Sequence, residues 1–192
     1  MFRGHAIREG IPIKPNNIAI AAVTIDGKIA RHPKHFPDWT SKEDKTFFQS
    51  MLDKSDVLVL GNSTFKTAEG PLSKRKCIVF TRSVQDTERS GDNVLYFNSN
   101  GPSSLQAILE PYRRVALLGG TQIYSYFLEH DLIDEMYLTI EPIVFGDGLD
   151  LFHQENMATA RFKLASVRQL NEDGTVLMHY RRPPVDVPPV PR

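Results

Sequence analysis

The chain has 192 residues, with 23 Lys and Arg balanced by 23 Asp and Glu. That length suits one domain with a full core. With no basic cluster, no apolar run of membrane-spanning length and no signal-peptide core in the polar start from Met1 to Gly10, neither nucleic acid nor membrane is expected as a partner. A lone cysteine, Cys77, excludes an internal disulfide. It sits in the apolar run Cys77 to Phe80, where a thiol reads as inert and buried, and metal-ligand spacing is absent. These features lead us to expect a cytoplasmic protein that handles a small molecule without a metal.

Residues 1–16 read as a polar extension and residues 183–192 as a proline-rich tail, flanking a single domain over 17–182. Asn17 to Thr24 reads as a strand, Ser41 to Asp53 as an amphipathic helix, and Val57 to Leu60 as a buried strand with a short helix from Ser63. Lys76 to Thr81 and Val94 to Phe97 follow as strands, Ser103 to Tyr112 as a helix, and Val115 to Leu118 as another buried strand. Thr121 to Glu129 is a helix with Ile123, Phe127 and Leu128 on one face. Met136 to Ile140 is a strand; after a turn at Gly146-Asp147-Gly148, Phe162 to Leu170 and Val176 to Arg181 pair as a hairpin through Asn171 to Gly174. Strands alternating with helices predict an α/β fold of three layers, a mostly parallel central sheet with helices on both faces and a C-terminal antiparallel hairpin. Ligands of such sheets sit outside the carboxyl ends of the strands.

Asp44 interrupts this pattern. Phe47, Phe48, Met51 and Leu52 follow it at the spacing of one helix face, so its carboxylate points where the apolar side chains point. An acid so placed is either satisfied structurally or used chemically. Ser41 with Asp44 forms a capping-box pattern that would explain the acid structurally, whereas Thr40 with Glu43 offers the same box one residue earlier and would leave Asp44 free.

Two strand-to-helix junctions carry glycine. Gly119-Gly120-Thr121-Gln122 follows a buried strand, and Gly61-Asn62-Ser63-Thr64 follows another. Such junctions let backbone amides approach a phosphate at the positive end of a helix, although tight turns need glycine for their dihedral angles alone. Thr81-Arg82-Ser83 closes a third strand with two hydroxyls and a guanidinium, a set suited to a sugar phosphate.

At these residues the chain resembles dihydrofolate reductase, over nearly all of 17–181. Ala21-Ala22 is similar to that family's opening strand, Trp39 to its tryptophan that orders water, and Asp44 with Phe47 and Phe48 to its acid and aromatics. Gly61 to Phe65 resembles its pyrophosphate element, Pro71-Leu72-Ser73-Lys74-Arg75-Lys76 its proline-leucine element, Gly119 to Tyr124 its cofactor turn, and Tyr137-Leu138-Thr139 the strand whose threonine bonds the acid. The resemblance implies a dihydrofolate-reductase-like fold, NADPH as cofactor, and reduction of 7,8-dihydrofolate to tetrahydrofolate by a monomer or homodimer. Asp44, Trp39, Thr139 and Tyr124 would then be the catalytic set. Ala22, Ile29, Gly61, Asn62, Ser63, Thr64, Thr81, Arg82, Ser83, Gly119, Gly120, Thr121, Gln122, Ile123 and Tyr124 would hold the cofactor. Ile20, Ala22, Asp44, Phe48, Leu72, Arg75, Leu118 and Thr139 would meet the substrate, with Arg75 on its carboxylate tail.

The chain also departs from that pattern. Gly27 to Pro37 lacks the usual active-site loop and is about two residues longer by this comparison, and Lys45 stands where an apolar residue usually packs on substrate. Asp26 to Ala30, Asp134 to Met136 and Phe145 to Gly148 with Leu151-Phe152 look more like the reductase domain of riboflavin biosynthesis, which implies an alternative activity, NADPH-dependent reduction of a ribosylaminopyrimidine phosphate. A third reading is a nucleotide-binding module without turnover.

Overall fold

A computed structural model describes residues 14–72, 74–153 and 159–184. In chain order the elements are β1 (Asn16–Thr24), β2 (Lys28–Ala30), α1 (Lys42–Asp53), β3 (Val57–Gly61), α2 (Asn62–Thr67), α3 (Glu69–Leu72), β4 (Cys77–Phe80), β5 (Thr87–Ser90), β6 (Val94–Phe97), α4 (Leu105–Leu109), β7 (Arg114–Leu117), α5 (Thr121–Glu129), β8 (Glu135–Glu141), β9 (Leu149–Asp150), β10 (Lys163–Gln169) and β11 (Val176–Arg181).

The near-continuous apolar runs of β1, β3, β4 and β7 reflect burial on both faces, as parallel strands flanked by helices require. Their side chains alternate. Ile18, Ile20, Leu58, Leu60 and Val79 point to one face, where Met51 and Leu52 of α1 and Phe65 of α2 cover them. Ala19, Ala21, Val57, Val59, Val115 and Leu117 point to the other, under Ile123, Phe127 and Leu128 of α5 and Leu105 and Leu109 of α4. Burying each Leu, Ile or Phe contributes roughly 1.5–3 kcal/mol, so these two apolar layers fix the register of the sheet.

The nine-stranded sheet runs β10-β11-β8-β1-β7-β3-β4-β6-β5. Its parallel core spans β8 to β6; the expected hairpin adds β11 and β10 antiparallel at one edge, and β5 adds an antiparallel strand at the other. The three-layer α/β architecture is therefore as the sequence predicts. β5 was not anticipated, because all four of its residues are exposed and show no alternation.

Several boundaries differ. β1 begins at Asn16, inside the expected extension; the remainder of that extension before Lys14, and the tail beyond Pro184, lie outside the described residues. The helix expected over Ser103 to Tyr112 shortens to α4, whose N-cap is Ser104. At the start of the long segment after Gly27, β2 pairs with β9 as a second, two-stranded sheet, pinned by Lys28 Nζ to Asp150 Oδ1 at 2.6 Å. Cys77 is buried as expected; its thiol donates to the Leu72 carbonyl at 3.3 Å, and desolvation pushes it up to about 11. Among the described residues no helix is long and apolar enough to cross a membrane.

Candidate active site

The carboxyl ends of β1, β7 and β8 meet the first turns of α1 and α5, and Asp44, Tyr124, Thr139, Gly119 and Gly120 of the residues singled out from the sequence lie there. Asp44 lies in the first turn of α1 and is only 7% exposed. The N-cap is Ser41 rather than Thr40: the Ser41 hydroxyl accepts from the Asp44 amide at 3.2 Å. The reciprocal half of that cap is not made by Asp44. Glu141 of β8 accepts the Ser41 amide at 2.7 Å, so it is Glu141, and not a Thr40–Glu43 box, that releases the Asp44 carboxylate. Burial pushes the Asp44 carboxyl above the ordinary aspartate range, hydrogen bonds from Thr139 and Thr40 partly oppose that, and the nearby Glu141 charge reinforces it.

Tyr124 stands beside this acid. Its hydroxyl donates to the Ile20 carbonyl at 2.6 Å, and burial together with the Asp44 charge drives its phenol well above the usual tyrosine range. Gly119 packs directly on the ring. A Cβ there would stand 2.6 Å from Tyr124 Cε2, and the residue has φ +85°, so glycine is required twice over. The Gly61 amide donates to the Gly119 carbonyl at 2.9 Å, bringing the two glycine junctions together, and Ile29 Cδ1 lies 3.8 Å from where a Gly120 Cβ would be. Gly120 and Gly61 are the N-caps of α5 and α2 and supply no side-chain cap. Among the described residues no side chain caps the amides that open α5, those of Thr121 and Gln122, so the positive end of the helix faces outward there. Ala22 pairs in register with Thr139, completing the floor.

Other expected residues sit differently. The Thr121 hydroxyl is engaged with the Asp150 carbonyl at 2.6 Å. The Thr81 and Ser83 hydroxyls bond each other at 2.8 Å, with Arg82 exposed between them. Ile20 and Leu72 are buried within the apolar layer under α1, where they serve as core, with Phe48 and Leu118 partly buried against the same layer. Arg75 forms an ion pair with Asp53 at the far end of α1, rather than standing free for a substrate carboxylate. Lys45 turns outward to the Asp38 carbonyl. Trp39 rests edge-on against Phe145 with centroids 5.1 Å apart, and its buried Nε1 finds no hydrogen-bond partner among the described residues. Ser73 lies outside the described residues.

Sequence reasoning missed Glu141, although period two along Tyr137, Thr139 and Glu141 places it on the face of Thr139. It also left the role of Asp26 unread. The Asp26 carboxylate accepts from the Thr24 hydroxyl and from the amides of Phe145 and Gly146 at 3.1 and 2.8 Å, which holds it down at about 2. It thereby ties the end of β1 to the loop that backs Trp39. Among the described residues no group of His, Cys, Asp and Glu could hold a metal ion.

The family model described as the RibD C-terminal domain matches residues 15–176. The uncharacterized protein YwjB of Bacillus subtilis is 28% identical over 171 residues, covering 84% of this chain and 94% of that one. The fold is similar to that of a diaminohydroxyphosphoribosylaminopyrimidine deaminase/5-amino-6-(5-phosphoribosylamino)uracil reductase of Thermotoga maritima, with TM-score 0.64 and 20% identity over 88% of this chain and 57% of that one. It is likewise similar to that of dihydrofolate reductase from Enterococcus faecalis complexed with NADP(H), with TM-score 0.62 and 22% identity over 88% of this chain and 98% of that one.

Proposed function

The chain belongs to the RibD C-terminal domain family, and from that premise we propose that it is a reductase that uses NADPH to reduce a ribosylaminopyrimidine phosphate such as 5-amino-6-(5-phosphoribosylamino)uracil. The observation that carries the reading is the buried carboxyl of Asp44 near Tyr124 of α5, a helix that opens on a glycine N-cap. The residues fit the cofactor. Gly120 leaves the first amides of α5 uncapped, and Gly119 admits no side chain, so a pyrophosphate would meet only backbone there. Gly119 to Ile123 with Gly61 to Thr64 would hold the pyrophosphate, Thr81, Arg82 and Ser83 the ribose phosphate, and Ala22, Ile29 and Tyr124 the nicotinamide end. When bound, the nicotinamide supplies the hydride.

The protein's part is then to align the two rings and manage one proton. Asp44 holds its proton more tightly than an exposed aspartate, so its carboxyl is suited to donating a hydrogen bond or the proton itself to a ring nitrogen. Thr139 and Thr40 orient it. Tyr124, anchored on Ile20, holds its buried ring against Gly119 of the turn. The engagement of Arg75 by Asp53 supports a substrate without a glutamate tail.

A second reading, reduction of 7,8-dihydrofolate, is favoured by Trp39, whose unpartnered buried Nε1 lies in the segment leading into the Asp44 helix. Purified protein is assayed for NADPH oxidation with each substrate. Turnover of the pyrimidine phosphate supports the main reading, turnover of dihydrofolate alone replaces it with the second, and cofactor binding by fluorescence without oxidation leaves a nucleotide-binding module. Asp44→Asn should lower turnover by about two or more orders of magnitude while NADPH binding persists; unchanged turnover removes the assigned role.

A further inference from the structure

Glu141 is 3% exposed, and both of its carboxylate oxygens are occupied. One accepts the Ser41 amide and the other the Thr175 hydroxyl, each at 2.7 Å. Thr175 is itself held, its amide donating to Asn171 Oδ1 at 3.0 Å and its hydroxyl accepting from Asn171 Nδ2 at 3.0 Å. Asn171 Nδ2 also reaches Glu43 Oε2 at 3.2 Å. The first turn of α1 is thus tied to the end of β8 and to the hairpin turn before β11.

A cap alone does not call for this arrangement. Asp44 occupies the third helical position, where the local S-x-x-D box would return its carboxylate to the Ser41 amide without a second buried acid. Burying another carboxylate costs several kcal/mol unless it is fully hydrogen-bonded, and the chain does this within reach of the acid it would otherwise have used. Glu141 therefore substitutes for Asp44 at the cap.

We infer that Glu141 is a positioning residue: by occupying the N-cap amide of α1 it denies that amide to Asp44 and keeps the Asp44 carboxyl turned toward Thr139 and the substrate side. This rests on Asp44 being the acid of the proposed reaction. The charged or titratable groups around Asp44 are Glu141 from β8, Tyr124 from α5, and Lys45 and Glu43 from α1 itself.

Two variants separate the elements of the claim. Glu141→Ala frees the Ser41 amide, so Asp44 can close the local box. Glu141→Gln keeps an acceptor for that amide, while the Thr175 hydroxyl reverses to accept from the new carboxamide. Misplacing a reacting group by about 1 Å costs on the order of 100-fold, so kcat should fall about 10- to 100-fold in Glu141→Ala with KM for NADPH unchanged, and Glu141→Gln should restore most of the loss. The second readout does not depend on activity. Carbon-13 NMR of the Asp44 carboxyl should show its titration midpoint moving down in Glu141→Ala, because the carboxylate gains the amide bond and loses a neighbouring charge. If Glu141→Ala does not fold, Thr175→Val, which removes one of the bonds to Glu141, should move both readouts in the same direction by less. An unchanged Asp44 titration overturns the inference, as does a loss of kcat that Glu141→Gln does not recover. If wild type reduces neither substrate, the proposed function fails while the NMR titration still decides the role of Glu141.

Discussion

Gly119→Ala tests the geometry of the site at one atom. At φ +85° a residue with a Cβ carries about 1–2 kcal/mol of backbone strain. The new methyl would stand 2.6, 2.9 and 3.0 Å from Cε2, Cζ and the hydroxyl oxygen of Tyr124. That ring is buried and its hydroxyl is bonded to the Ile20 carbonyl, so a retreat of the ring strains that bond. Overpacking of this kind costs about 1–3 kcal/mol, giving about 2–5 kcal/mol in all. Urea unfolding without ligand, analysed by linear extrapolation, measures it. The partition is checked in a Tyr124→Ala background, where the ring is gone and only the dihedral strain of about 1–2 kcal/mol should remain, leaving a coupling of about 1–3 kcal/mol. A Gly119→Ala cost below about 0.5 kcal/mol, or the same cost in both backgrounds, would refute the reasoning.

Other outcomes follow from the same site. Asp44 has its folded-state proton affinity raised above the unfolded value, so the fold gains stability as pH falls through the folded midpoint and loses it as pH rises. Asp44→Asn should therefore raise Tm at neutral pH even as it removes turnover, and a lowered Tm would show that the carboxylate is structurally satisfied. Asp26 is the opposite case: held down at about 2, its contribution is present above the unfolded value near 3.8 and lost as pH falls toward about 2. Asp26→Ala should accelerate hydrogen exchange at the amides of Phe145 and Gly146, and unaltered protection there would show that other contacts hold the loop. Arg75→Leu should leave KM for the pyrimidine phosphate within about twofold, whereas a large rise in KM for dihydrofolate in the same variant would favour the second reading.

The layers of this fold were legible because burial on both faces leaves an unmistakable mark: Val57 to Leu60 and Val115 to Leu117 cannot be surface strands, and Thr121 to Glu129 shows its apolar face at helical spacing. Asp44 could be read for the same reason, as the polar member of an apolar stripe. What escaped has no such mark. β2 and β9 are too short for any period, and β5 exposes every residue. Glu141 escaped because its partners, Ser41 and Thr175, lie far away along the chain and meet it only after the sheet has formed. Arg75 shows the converse, since a motif can mark a guanidinium but cannot reveal that Asp53 will already hold it.

The solitary thiol of Cys77 turns the molecule into its own unfolding recorder. That thiol is buried and donates to the Leu72 carbonyl, so a maleimide or disulfide reagent in the surrounding buffer should label it far faster once the strand carrying it parts from the short helix ending at Leu72. The speed of labelling therefore counts openings of the core directly. A nucleotide that binds only the closed form must slow this count in proportion to its saturation, so dissociation constants are readable from a thiol that never touches the ligand.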